Sequence, residues 1–152
     1  MGVGLVDSLG EDVTHIASAT LTPRSGATLS DRLATIFSEL EILLDEWGPD
    51  AVAIEQPFAG KNVRSALAIG QAQAIAMLAG ARRGLPVTTY SPTQVKQAVT
   101  DYGGASKEQV RDMVQIILQL ADQPETTDAA DALAVALCHI NAHRAEGLEL
   151  KG

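Results

Sequence analysis

Runs of apolar residues change period along this chain, and the changes mark its elements. Gly2 to Asp7 and Val13 to Leu21 are short strand-like runs on either side of Leu9-Gly10-Glu11-Asp12, which predicts a β-hairpin. After a loop over Thr22 to Gly26, Leu33, Ile36, Phe37, Leu40, Leu43 and Leu44 recur on one face of a helix, capped by Ser30 and running to about Trp47. Gly48-Pro49 ends it. Ala51 to Ile54 is wholly apolar up to Glu55, as an inner parallel strand should be. Pro57 to Gly60 form a loop, Asn62 to about Arg83 a long helix stopped by Gly84-Leu85-Pro86, and Val87 to Tyr90 a fourth strand. Ser91 caps a short helix bearing Val95 and Val99, and Tyr102-Gly103-Gly104 breaks the chain. Ser106 then opens a helix to Leu120, and a last helix starts near Thr126 with Leu133, Val135, Leu137 and Ile140. A hairpin followed by β-α-β-α units predicts one α/β layered domain with a mixed sheet, residues 1–145, and a frayed polar tail, residues 146–152.

Composition narrows the setting. With 152 residues, 46% of them apolar, the chain can bury one proper core. The lone Cys138 excludes an internal disulfide and zinc-ligand spacing is absent, which points to a reducing, cytoplasmic compartment. No basic-then-apolar leader opens the chain. Gln71 and Gln73 interrupt the most apolar stretch, Ser65 to Ala81, so no membrane span is expected.

The net charge of -8 argues against a nucleic-acid partner until its distribution is read: -7 over residues 1–50, +4 over 51–111 and -5 over 112–152. The basic block contains Lys61, Arg64, Arg82, Arg83, Lys96, Lys107 and Arg111. On charge alone, an ordinary solvated surface explains it better than a binding face.

Three carboxylates carry the candidate chemistry. Glu55 closes a buried strand, where an uncompensated charge is costly. Asp128 and Asp131 stand three apart at a helix start and so share a face, although the helix dipole alone favours acids there. Convergent carboxylates are hard oxygen ligands suited to Mg²⁺ and to phosphodiester hydrolysis. Phe58, beside Lys61 and Asn62 in a loop, suits stacking on an exposed base or a small hydrophobic plug. Lys96 and Lys107 are placed to reach phosphates. Along the long helix, Ala66, Gly70, Ala74 and Met77 suit packing on the sheet or a helix–helix dimer equally. His139 and His143, one turn apart without a third partner, read as helix-surface histidines.

Several ordered segments go further. Residues 53–62 (Ala-Ile-Glu-Gln-Pro-Phe-Ala-Gly-Lys-Asn), 65–72 (Ser-Ala-Leu-Ala-Ile-Gly-Gln-Ala) and 94–99 (Gln-Val-Lys-Gln-Ala-Val) resemble the RuvC family of bacterial Holliday-junction resolvases. So do residues 107–110 (Lys-Glu-Gln-Val) and 128–136 (Asp-Ala-Ala-Asp-Ala-Leu-Ala-Val-Ala), and the resemblance spans roughly residues 2 to 143. It implies an RNase H-like α/β fold, a homodimer joined through the long helix, and Mg²⁺- or Mn²⁺-dependent nicking of opposed strands of a four-way junction. By motif match Glu55, Asp128 and Asp131 are the metal-binding catalytic acids, and Lys107 meets developing phosphate charge. Phe58, Lys61, Asn62 and Lys96 then face DNA, and the RuvA–RuvB branch-migration machinery is the implied partner.

The chain departs from the family at its start. The family opens with a strand ending in Gly-Ile-Asp-Pro-Gly, whose Asp is a fourth catalytic acid, and no such segment is present here. Met1 to Val6 resembles the family's second strand, and Asp7 lies in the wrong context to substitute. The expectation is therefore a mixed sheet without its central first strand, a reading frame begun at an internal methionine, and weak or absent cleavage. A non-catalytic junction-binding dimer is the alternative, and a decayed, unfolded fragment a third reading.

Overall fold

The computed structural model describes residues 1–57, 60 and 62–151, the last four as backbone only. Its elements are β1 (Gly2–Leu9), β2 (Asp12–Thr20), α1 (Leu29–Trp47), β3 (Val52–Glu55), α2 (Val63–Arg82), β4 (Val87–Tyr90), α3 (Pro92–Thr100), α4 (Lys107–Ile117) and α5 (Thr127–Lys151). They form two compact units, one from residue 1 with residues 21–92 and the other from residues 2–20 with residues 93–152. The strands make two two-stranded sheets, β1-β2 and β3-β4. No helix among the described residues is long and apolar enough to cross a membrane.

In the first unit, α1 begins two residues earlier than a Ser30 cap implies. Thr28, not Ser30, is the N-cap, its Oγ1 accepting from the Asp31 N–H at 3.2 Å. Either hydroxyl has the right chemistry, and Thr28 has the extended backbone that a cap requires. Gly48, at φ +54°, closes α1 in the left-handed region. β3 and β4 run parallel, from Val52 opposite Val87 to Glu55 opposite Tyr90. Gly80 lets α2 sit on this pair, since a Cβ there would lie 3.0 Å from Val87 Cγ2 and 3.1 Å from Val52 Cγ2. The C-terminal part of α2 is thus tied to the sheet, while Val63 and Leu67 near its start are 64% and 63% exposed. Arg83, just past α2, bonds Glu41 Oε2 at 3.0 Å and Asp45 Oδ1 at 2.6 Å on α1.

The second unit is built around α5. Leu133 and Ala130 of α5 and Val114 of α4 are fully buried. β1 and β2 form the predicted hairpin, turning at Gly10 (φ +62°), with an irregularity between Leu5 and Val6. β1 lies hard against α5. A Cβ on Gly2 would fall 1.9 Å from the Asp128 carbonyl oxygen, and one on Gly4 2.7 Å from Leu133 Cδ2. At the other end of the hairpin, Arg144 Nη2 donates to the Gly10 carbonyl at 2.9 Å and to Ser8 Oγ at 3.3 Å. Asn141 pins α3 by donating to the Ala98 carbonyl at 3.0 Å. α4 opens on a reciprocal capping box between Ser106 and Gln109. It stops at Ile117 rather than Leu120, because the chain turns left-handed at Gln119 (φ +54°). α5 in contrast outruns its expected end. Its backbone is helical through Lys151 where a frayed tail was expected, over residues that include the strong helix formers Ala145, Glu146, Leu148 and Glu149.

Candidate active site

Asp128 and Asp131 occupy the opening turns of α5. The start is set by Thr126, whose Oγ1 accepts from the Ala129 N–H at 3.0 Å and lies 2.7 Å from the Thr20 hydroxyl on β2. Ala129, Ala130, Leu133 and Ala134 take the buried face. The two acids therefore emerge together at the border of the core, Asp128 exposed and Asp131 half-buried. Burial pushes the Asp131 carboxyl above the ordinary carboxylate range, opposed by the Lys107 ammonium, reinforced by the Asp128 charge and opposed again by Arg111.

Lys107 and Arg111 come from α4, four residues apart and hence on one helical face. Neither has a carboxylate within ion-pair distance among the described residues. Lys107 is exposed, while Arg111 is half-buried and its Nε is screened from water without a hydrogen-bond partner. The structure thus brings together Asp128, Asp131 and Lys107 of the expected set and adds Arg111. The sequence held a signal for it, the i, i+4 repeat with Lys107.

Glu55 belongs to the first unit, half-buried at the C-terminal end of β3. Its backbone is held from two directions: Gln73 of α2 donates to the Glu55 carbonyl, and the Gln56 N–H donates to the Tyr90 carbonyl at 2.7 Å. Gln73 carried no signal beyond breaking an apolar run. Phe58 and Lys61 lie outside the described residues. Asn62 is the N-cap of α2, its Oδ1 accepting from the Ser65 N–H at 3.1 Å, a structural task at the start of that helix. Lys96 is half-buried on α3, next to the buried Val95.

Asp7 is exposed near the hairpin turn, beside the Ser8 and Gly10 groups that Arg144 holds. Arg144 stands about 20 Å along α5 from Asp131 at the usual helical rise. Asp7 therefore does not complete the acidic pair. The His139 and His143 rings are 5.7 Å apart, with Glu146 4.0 Å from His143. Burial, then the neighbouring His143, lowers the His139 pKa, with Glu146 opposing.

Among the described residues, no three His, Cys, Asp or Glu side chains lie close enough together to hold a metal ion. The Asp128–Asp131 pair nevertheless fits a hard divalent cation in part. It offers oxygen donors on one face, with the Asp131 carboxyl held back from ionising first by burial and further by the Asp128 charge.

Comparison with known proteins places this arrangement. A family model described as crossover junction endodeoxyribonuclease RuvC matches residues 1–139. Crossover junction endodeoxyribonuclease RuvC from Dehalococcoides mccartyi is 48% identical over 139 residues, 91% of this chain and 83% of that protein. The protein of the same name from Chloroflexus aggregans is 45% identical over 139 residues, 91% of this chain and 85% of its own. Among solved structures, Thermus thermophilus RuvC in complex with a Holliday junction substrate superposes with a TM-score of 0.88 at 32% identity, covering 95% of this chain and 88% of that one.

Proposed function

The chain belongs to the RuvC family of crossover junction endodeoxyribonucleases, and from that premise we propose that it resolves four-way DNA junctions by metal-dependent hydrolysis of phosphodiesters. The fold is the RNase H-like α/β fold of that family. The observation that carries the proposal is the pairing of Asp128 and Asp131 on α5 with an uncommitted cationic face on α4. Acids alone would repel a phosphodiester. Acids beside free cations can accept one.

In this reading Asp128 and Asp131 would hold Mg²⁺, or Mn²⁺ in its place, with Glu55 the third acid of the set by motif match. The bound cation supplies Lewis-acid activation of water and of the phosphoryl oxygens. Water attacks phosphorus, the bond to one bridging oxygen breaks, and the Lys107 ammonium balances charge that accumulates on the phosphate. The Gln73 hydrogen bond fixes the strand end from which Glu55 projects. Phe58 stacks on a base exposed at the branch point, with Lys61, Asn62 and Lys96 contacting the backbone around it. The exposed Val63 and Leu67 on α2 support a homodimer through that helix, acting in the cytoplasm with the RuvA–RuvB machinery.

The test uses Asp128→Asn and Asp131→Asn on a fixed four-way junction and a linear duplex of the same sequence. Both variants bind the junction in preference to the duplex, and neither cleaves it with Mg²⁺ or Mn²⁺. Cleavage that survives both substitutions refutes the assignment. A second reading, junction binding without cleavage, is favoured by the lack of three convergent metal-ligating side chains among the described residues. It requires the unsubstituted chain to bind junctions equally well with and without Mg²⁺ and to leave them intact.

A further inference from the structure

His139 and His143 lie outside everything the proposed reaction uses. They stand one turn apart on α5, and His139 is about 12 Å along the helix from Asp131 at the usual rise. Their ring centroids are 5.7 Å apart and the ring planes 35° from parallel. His139 is half-buried and His143 exposed. The i, i+4 spacing puts both imidazoles on one helix face, the arrangement by which paired histidines grip a transition metal. Two imidazole nitrogens at about 2.0–2.1 Å from one ion bring the ring centroids to roughly 5 Å. A small rotation of the exposed His143 ring therefore closes the clamp.

The surroundings suit a metal ligand pair. His143 Nδ1 lies 4.0 Å from Glu146 Oε2, which leaves Nε2 as the ligating atom. A carboxylate beside the second nitrogen of a ligating histidine fixes its tautomer and raises its basicity. Burial, then the neighbouring His143, lowers the His139 pKa against the opposing Glu146 charge, which favours the neutral ring that binds metal. Arg144, the adjacent cation, is committed to the Gly10 carbonyl and Ser8 Oγ. Cys138 is buried and donates to the Gln94 carbonyl, so it does not join the pair.

We propose that His139 and His143 form a two-point site for a transition metal of the Zn²⁺, Ni²⁺ or Cu²⁺ class, with Glu146 positioning His143 and water completing the coordination. Two protein ligands are all the site offers, in line with the lack of any three-ligand group among the described residues. Imidazole donors suit these ions, whereas Mg²⁺ takes oxygen ligands, so the site is chemically separate from Asp128 and Asp131. A bound ion would staple two turns of α5, the helix whose opening turns carry those acids. Nothing in the site depends on the resolvase reading.

The test is calorimetric titration of the full chain with Zn²⁺ and with Ni²⁺, in excess Mg²⁺, for the parent, His139→Gln, His143→Gln, Glu146→Gln and Asp128→Asn. The parent should show a site for which Mg²⁺ does not compete. Each histidine substitution should weaken binding at least about 10-fold, the loss that removing a carboxylate partner alone can bring, and Glu146→Gln should weaken it about 3- to 10-fold. Asp128→Asn should keep this site within about twofold of the parent. Cu²⁺ bound to the parent should show nitrogen hyperfine coupling in its EPR spectrum, reduced in His143→Gln. Parent heats that match buffer overturn the proposal, and so does binding unaltered by both histidine substitutions. Binding lost in Asp128→Asn but kept in the histidine variants also overturns it, because the ion then sits on the acids. If His139→Gln loses its cooperative melt, His143→Gln decides, since that side chain is 78% exposed: parent-like affinity overturns the pair. Neither junction binding nor cleavage is read, so failure here leaves the functional reading standing.

Discussion

Alanine at Gly2 should damage catalysis from a position that carries no chemistry. Its methyl carbon would stand 1.9 Å from the Asp128 carbonyl oxygen, 2.2 Å from the Asp128 carbonyl carbon and 2.7 Å from the Ala129 nitrogen. A carbon and an oxygen rest at about 3.3 Å, so the two segments must separate by roughly 1.4 Å. The obstruction is backbone, and no side-chain rotation relieves it. Either the start of β1 leaves its pairing with Thr20, or the first turn of α5 moves and takes Asp128 with it. Overpacking of this kind costs about 2 kcal/mol, which for a domain of this size is a melting shift of roughly 4–8 °C. Displacing a catalytic group by about 1 Å lowers the rate on the order of 100-fold. Single-turnover cleavage of a four-way junction with saturating protein and Mg²⁺ reads the second effect, and thermal unfolding reads the first. Gly4→Ala separates them, because its methyl meets chiefly the Leu133 side chain, at 2.7 Å, in the buried core. It should cost stability by a similar amount and much less of the rate. Gly147→Ala meets nothing within 4 Å and should be neutral or slightly stabilising. A Gly2→Ala protein that melts and cleaves like the parent refutes the account of β1 as the strand that seats the acids.

The remaining expectations concern charge and assembly. Because burial and the Asp128 charge hold the Asp131 pKa above its ordinary value of 3.8, ionising it destabilises the fold as pH rises through that value. Asp131→Asn should therefore melt roughly 1–3 °C higher than the parent at pH 7.5 in EDTA, with no gain near pH 3, where the parent carboxyl is already neutral. A gain that is equal at both pH values would trace to packing instead. If the proposed homodimer forms through α2, Leu67→Glu on its exposed start should lower the sedimentation coefficient to that of a monomer, and an unchanged coefficient would refute an α2 interface.

The order and type of every element were legible in the residues, because period, caps and breakers are local properties. The α1 stripe, the Gly48 stop, the apolar Ala51 to Ile54 run and the Ser106 cap all act within a turn or two of themselves. The misjudged ends have the same local character. Thr28 and Ser30 are chemically interchangeable as caps, and a left-handed Gln119 has no sequence signature. Glu55, Asp128 and Asp131 stood out as candidates by residue type and motif.

Tertiary structure decided what those residues experience. Which glycines must remain glycine depends on how closely β1 approaches α5, and Gly2 and Asp128 are 126 positions apart in the chain. That Asp131 resists ionisation, that Arg111 keeps an unmet N–H beside it, and that Gln73 holds the Glu55 carbonyl are likewise long-range facts. The reason is physical. Hydrophobic period and capping are written in neighbouring residues, whereas desolvation, charge–charge distance and steric closeness exist only once distant segments have packed together.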